Sequence, residues 1–82
     1  MKQIFWQPKA LRQLRKMQEK EAKDNVYDAV EALSHFPNCP KIRKLRGREA
    51  YRLRIKGWRV IFRVTSNTIT IEEIKKRDEH TY

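Results

Sequence analysis

The sequence predicts an α+β domain: an N-terminal strand, a helical hairpin and a three-stranded antiparallel meander, with two helices packed on one face of a small twisted sheet. Three observations point there. Residues 51–62, Tyr-Arg-Leu-Arg-Ile-Lys-Gly-Trp-Arg-Val-Ile-Phe, alternate apolar and basic side chains around Lys56-Gly57, which reads as a β-hairpin closed by a two-residue turn. Upstream, apolar residues recur at helical spacing in two separate stripes. Downstream, residues 68–74 are rich in β-branched side chains. With 82 residues the chain is expected to form one domain, 1–82. Such a chain buries only about 60 % of its unfolded surface, so one layer of helix on one layer of sheet is the natural solution.

In chain order, residues 2–6, Lys-Gln-Ile-Phe-Trp, form a short β-prone run ended by Gln7-Pro8. Pro8 suits the first turn of a helix, where its missing N–H costs nothing. Ala10, Leu11, Leu14 and Met17 then make one helical stripe. The period breaks through Gln18-Glu19-Lys20, and Ala22, Val26, Ala29, Val30 and Leu33 make a second. An αα-hairpin accounts for the break better than one long rod. Pro37-Asn38-Cys39-Pro40 is a breaker, and the basic run Lys41 to Gly47 leads toward the sheet, with room for a short extra strand near residue 45. After the hairpin, Ser66-Asn67 forms a second turn and Thr68 to Ile74 the last strand.

Strand alternation assigns the faces. If Lys56 and Gly57 form the loop, Arg54 stands opposite Arg59 and Arg52 opposite Ile61. Tyr51, Leu53, Ile55, Trp58, Val60 and Phe62 then share one side, and Arg52, Arg54, Arg59 and Arg63 the other. The helices must hide their stripes on the apolar side, which leaves the arginine side open. Like charges directly opposed destabilise a sheet, so a polyanion that offsets the cost is expected.

Composition agrees. Twenty Lys and Arg against ten Asp and Glu give a formal net charge of +10, which favours nucleic acid or an acidic protein as partner. A solvated basic face that deters edge aggregation is the simpler alternative. Arginine presents a planar fork that matches phosphate oxygens bidentately. Arg52, Arg54 and Arg59 are therefore the leading candidates for phosphate binding, with Lys75, Lys76 and Arg77 as an extension. His80 is a candidate acid or base because histidine titrates near neutrality; His35 reads as a helix C-terminal cap. Of Glu72 and Glu73, strand alternation lets at most one face the basic side, to pair with an arginine rather than act in catalysis. Two histidines and one cysteine, widely separated, make no metal-ligand set, and Gly47 and Gly57 make no phosphate loop, so neither metal nor cofactor is expected. The lone Cys39 fits a reducing, cytoplasmic compartment, and no apolar run suggests a signal peptide or membrane span.

Taken together, Lys44-Leu45-Arg46-Gly47, Tyr51-Arg52-Leu53-Arg54, Gly57-Trp58-Arg59-Val60-Ile61-Phe62 and a basic tail from Ile71 to Tyr82 resemble the RelE/ParE superfamily of bacterial toxins from type II toxin–antitoxin systems. The tail resembles that of the RelE-like mRNA interferases. This resemblance implies a RelE-like fold and a metal-independent endoribonuclease that cuts messenger, many relatives doing so in the 30S A site of the ribosome. A ribose 2′-oxygen attacks phosphorus and the 5′-oxygen leaves. Carried over by position, the catalytic residues are Arg52, Arg54, Arg59, Arg77 and Tyr82, with His80 as a further acid or base and Arg46, Arg63, Lys75 and Lys76 as RNA contacts. Arg52 and Arg54 stand where relatives often carry lysine. Arginine is a poor general base, so Tyr82 and His80 are left for the proton transfers. The implied protein partner is a cognate antitoxin. A ParE-like toxin, which shares the fold but inhibits DNA gyrase by binding it, is the alternative.

Overall fold

The structure, a computed structural model, describes residues 1–76. Five strands and two α-helices run in the order β1 (Gln3–Trp6), α1 (Pro8–Lys16), α2 (Lys20–Glu31), β2 (Ile42–Lys44), β3 (Tyr51–Ile55), β4 (Trp58–Val64) and β5 (Thr68–Lys76). A 3₁₀ turn, Ala32–His35, prolongs α2. Pro8 occupies the first turn of α1, and the helical hairpin breaks at residues 17–19.

One sheet holds all five strands in the order β1-β5-β4-β3-β2. β1 lies parallel to β5, and the other neighbours are antiparallel. The meander has the three expected strands and a fourth, the short extra strand for which the sequence left room near residue 45. β2 supplies the fourth, pairing Ile42 with Leu53, Arg43 with Arg52 and Lys44 with Tyr51. Three residues are too few to display a period of two, so the strand becomes evident only through its partner.

The core lies between helices and sheet. Ala10, Leu14 and Met17 from the first helical segment meet Val26, Val30 and Leu33 from the second, over Leu53, Ile55, Val60, Phe62, Ile69, Ile71 and Ile74. Phe36, just after the 3₁₀ turn, packs edge-on against Tyr51 and Phe62, whose rings stack at 5.6 Å. Both helical stripes and the apolar side of the hairpin are therefore consumed on one face, and among the described residues no helix packs on the opposite face of the sheet.

Beyond Trp6, β1 leaves the edge of β5, and α1 takes over its protection. Gln13 Oε1 accepts a hydrogen bond from the Ile74 backbone N–H at 2.6 Å. A side-chain amide thus satisfies an edge donor that no strand reaches.

Candidate functional site: a cationic sheet face

The β3–β4 hairpin sets the site. Its register pairs Ile55 with Trp58, Arg54 with Arg59, Leu53 with Val60 and Arg52 with Ile61, as the alternation predicts. In the turn, Lys56 adopts the left-handed conformation, at φ 48°. A two-residue turn makes Ile55 and Trp58 a hydrogen-bonded pair. Arg54 and Arg59 are then a non-hydrogen-bonded pair, whose Cα atoms approach to about 4.5 Å.

Neighbouring strands extend this pair into rows across the sheet. Arg59 is paired with Lys75 on β5. On the other flank, the Arg54 backbone N–H donates to the Lys41 carbonyl at 3.1 Å, which continues the β2 register by one residue. One row therefore reads Lys41, Arg54, Arg59, Lys75. The row beside it reads Arg43, Arg52, Ile61, Glu73. Ile61 is 7 % exposed although it sits on the open face; long charged side chains bury apolar neighbours beneath their stems.

Arg63 falls on the open face as alternation predicts, but the two glutamates depart from strict alternation. β4 and β5 slip in register at Ile61/Phe62, so that Ile61 pairs with Glu73 and Phe62 with Ile71, leaving Glu72 as an extra residue. Both carboxylates then meet cations of the open face, because a bulge turns two successive residues the same way. Glu72 Oε2 accepts from Arg63 Nε at 2.6 Å. Glu73 bonds Lys9 Nζ at 2.7 Å and lies 3.3 Å from Lys75 Nζ. The Lys9 hydrogen bond holds the Glu73 carboxyl below its ordinary value against the opposing effect of desolvation, with Lys75 adding to the depression. A carboxylate held ionised in this way is a weak proton acceptor. Burial raises the Cys39 thiol instead, which disfavours its thiolate form.

The sequence-predicted contacts separate into four groups. Arg52, Arg54, Arg59, Arg63 and Lys75 share the open face. Lys76 does not: strand β5 continues through it, and its partner is Trp58 on the helix side, with Lys76 Nζ 6.0 Å from the indole centroid. Period two puts successive residues on opposite faces, so Lys75 and Lys76 cannot both extend one site. Arg46 is exposed in the β2–β3 loop, among Lys44, Gly47 and Arg48. Arg77, His80 and Tyr82 lie outside the described residues.

Two cations were missed by sequence reasoning, Lys41 and Arg43. With Ile42, Arg52 and Arg54 they line a hollow of about 160 Å³ at the β2–β3 boundary. Their basic run was legible, but not their strand partner. Another hollow, about 260 Å³, lies between α2 and the hairpin tip; Glu19, Glu21 and Trp58 are among its lining residues, and its carboxylates suit no polyanion.

A family profile described as the ParE toxin of the type II toxin–antitoxin system parDE matches residues 4–81. The chain belongs to this toxin family. Among solved structures, the isolated E. coli RelE toxin matches the toxin with a TM-score of 0.82 at 16% identity, over 99% of this chain and 89% of that one. The archaeal RelE–RelB complex from Pyrococcus horikoshii gives 0.79 at 22% identity, over 95% and 97%. The chromosomal ParDE system from P. aeruginosa gives 0.80 at 19% identity, over 95% and 98%. At these identities the likeness shows the fold. No curated protein matches the toxin sequence.

Proposed function

We propose that the toxin is a metal-independent endoribonuclease that cuts messenger RNA at the ribosome. The observation that supports this reading is the row of cations on the open face, in which Arg54, Arg59 and Lys75 cross three adjacent strands and Lys41 flanks them just before β2. In-line attack by a ribose 2′-oxygen forms a new P–O bond, expels the 5′-oxygen and leaves a 2′,3′-cyclic phosphate. Negative charge builds on the phosphoryl oxygens as this happens. Guanidinium groups fixed on strands stabilise that charge without reorganising. Holding the 2′-oxygen in line supplies a further share of the barrier reduction, on the order of 7–11 kcal/mol in the best intramolecular cases. Arg52, Arg54 and Arg59 are the phosphate-binding residues. Arg77 joins them from the tail, and the proton transfers fall to Tyr82 or His80, because arginine keeps its proton.

A cognate antitoxin completes the system. RelE occurs with RelB in the P. horikoshii complex, and an acidic antitoxin segment suits the +10 surface of this chain.

A second reading is favoured by the family profile, whose description is that of ParE. The toxin then binds DNA gyrase and performs no phosphoryl chemistry. Arginine at 52 and 54, where many ribonuclease relatives carry lysine, is compatible with it. One experiment separates the two: induced expression with transcript 5′-end mapping, run beside a supercoiling assay with purified gyrase. New 5′ ends within open reading frames and unimpaired supercoiling support the ribonuclease. Inhibited supercoiling with intact transcripts overturns it in favour of the second reading.

A further inference from the structure

The hollow lined by Lys41, Ile42, Arg43, Arg52 and Arg54 gathers four cations at the β2–β3 boundary. Arg43 and Arg52 are directly paired across β2 and β3, a like-charge arrangement that disfavours the sheet. Lys41 adopts φ 66°, a left-handed conformation that is unfavourable for a residue with a Cβ. Both features fall within three residues of one another, at the same hollow. Among the described residues, no carboxylate forms a salt bridge with Lys41, Arg43 or Arg54. Charges on an edge strand such as β2 deter aggregation, but that purpose needs no clustering on the face that already holds Arg52 and Arg54.

Size and position fit an anion. A volume of about 160 Å³ equals about five waters at ~30 Å³ each, room for a phosphate and part of its hydration shell. The hollow lies one strand interval, roughly 4.8 Å, from the Arg54–Arg59 pair, and it shares Arg54 with that pair. We infer that it binds a backbone phosphate of single-stranded RNA next to the one placed between Arg54 and Arg59, with Arg43 and Lys41 as its dedicated contacts. The RNA strand therefore crosses β4, β3 and β2 rather than following any one of them. The identity of the polymer rests on the ribonuclease reading above; the anion site rests on the hollow itself. An acidic protein segment is the competing occupant. RNA is favoured because the hollow is continuous with the row that holds the reacting phosphate.

The test is equilibrium binding of the full chain to a short 2′-O-methyl oligoribonucleotide, which lacks the attacking hydroxyl, between about 50 and 200 mM salt. Each phosphate contact in a single strand contributes about 0.7 to the slope of log K against log salt. Arg43→Gln is expected to lower the slope by about 0.7 for every sequence tested, and Arg43→Lys to restore it. Lys41→Gln, outside any strand, gives an independent reading of the same loss. Melting curves run alongside, where Arg43→Gln should match or exceed the parent because a like-charge pair is gone. Unchanged slopes for both glutamine variants, with a reduced slope for Arg59→Ala, overturn the hollow and leave the ribonuclease reading standing. Unchanged RNA slopes with weakened capture of a polyglutamate peptide assign the hollow to a protein partner and also overturn it. A lowered slope in a protein that cuts no transcript supports the hollow and removes only the cleavage step.

Discussion

Arg54 and Arg59 face each other across β3 and β4, so one guanidinium can be removed from the open face without emptying the core behind it. Arg59→Ala should abolish growth arrest on induction, because loss of one charge-stabilising donor slows such chemistry by roughly 10²–10³-fold. Its stability should change by about 1 kcal/mol or less, as expected away from packed positions. An arrest that persists, or a variant that fails to fold, counts against the assignment. Glu73 gives a test at the same scale with a defined sign. Its folded pKa lies below the ordinary value of 4.5, chiefly through Lys9, so its contribution is complete above that value and fades as pH falls through the depressed one. Glu73→Gln should therefore lower stability by less than about 1 kcal/mol at neutral pH. Denaturant titrations should show the gap closing below pH 4.5, once the carboxyl is protonated both folded and unfolded. A gap that grows in acid contradicts the Lys9 pairing.

At the scale of elements, short strands depend on unlike neighbours for their edges. β1 covers β5 only as far as Ile71, and the next edge donor, the Ile74 N–H, is taken by Gln13 of α1. Gln13→Ala should cost about 1 kcal/mol and speed hydrogen exchange at the Ile74 amide, with little change at the Val60 amide inside the sheet. Equal acceleration at both amides indicates global destabilisation instead. The bulge at Glu72 is the other element-level device. It turns a strand that alternation would split between two faces into one that gives Arg63 and Lys75 each a carboxylate, trimming the cationic field at its β5 border while the β2 border keeps Lys41 and Arg43.

For the whole molecule, a net charge of +10 on 82 residues makes self-repulsion a global term. Screening it should raise the melting temperature steadily as salt increases from about 10 mM to 150 mM; a flat profile means that the charges are already compensated locally. The hairpin register, the helical break and the arginine side of the hairpin were legible in the chain, because each depends on spacing within a few residues; the toxin-family likeness rested on resemblance of longer motifs. Arg52, Arg54 and Arg59 fell where the alternation put them. The parallel β1–β5 pairing, the partner and register of the strand at Ile42–Lys44, the slip that recruits Glu72, and the extension of β5 through Lys76 were decided only in three dimensions. Each depends on which distant segment supplies the missing backbone hydrogen bonds. Local sequence dictates which side chains can alternate, but the identity of the neighbouring strand, and hence the membership of the cationic row, is settled by tertiary pairing.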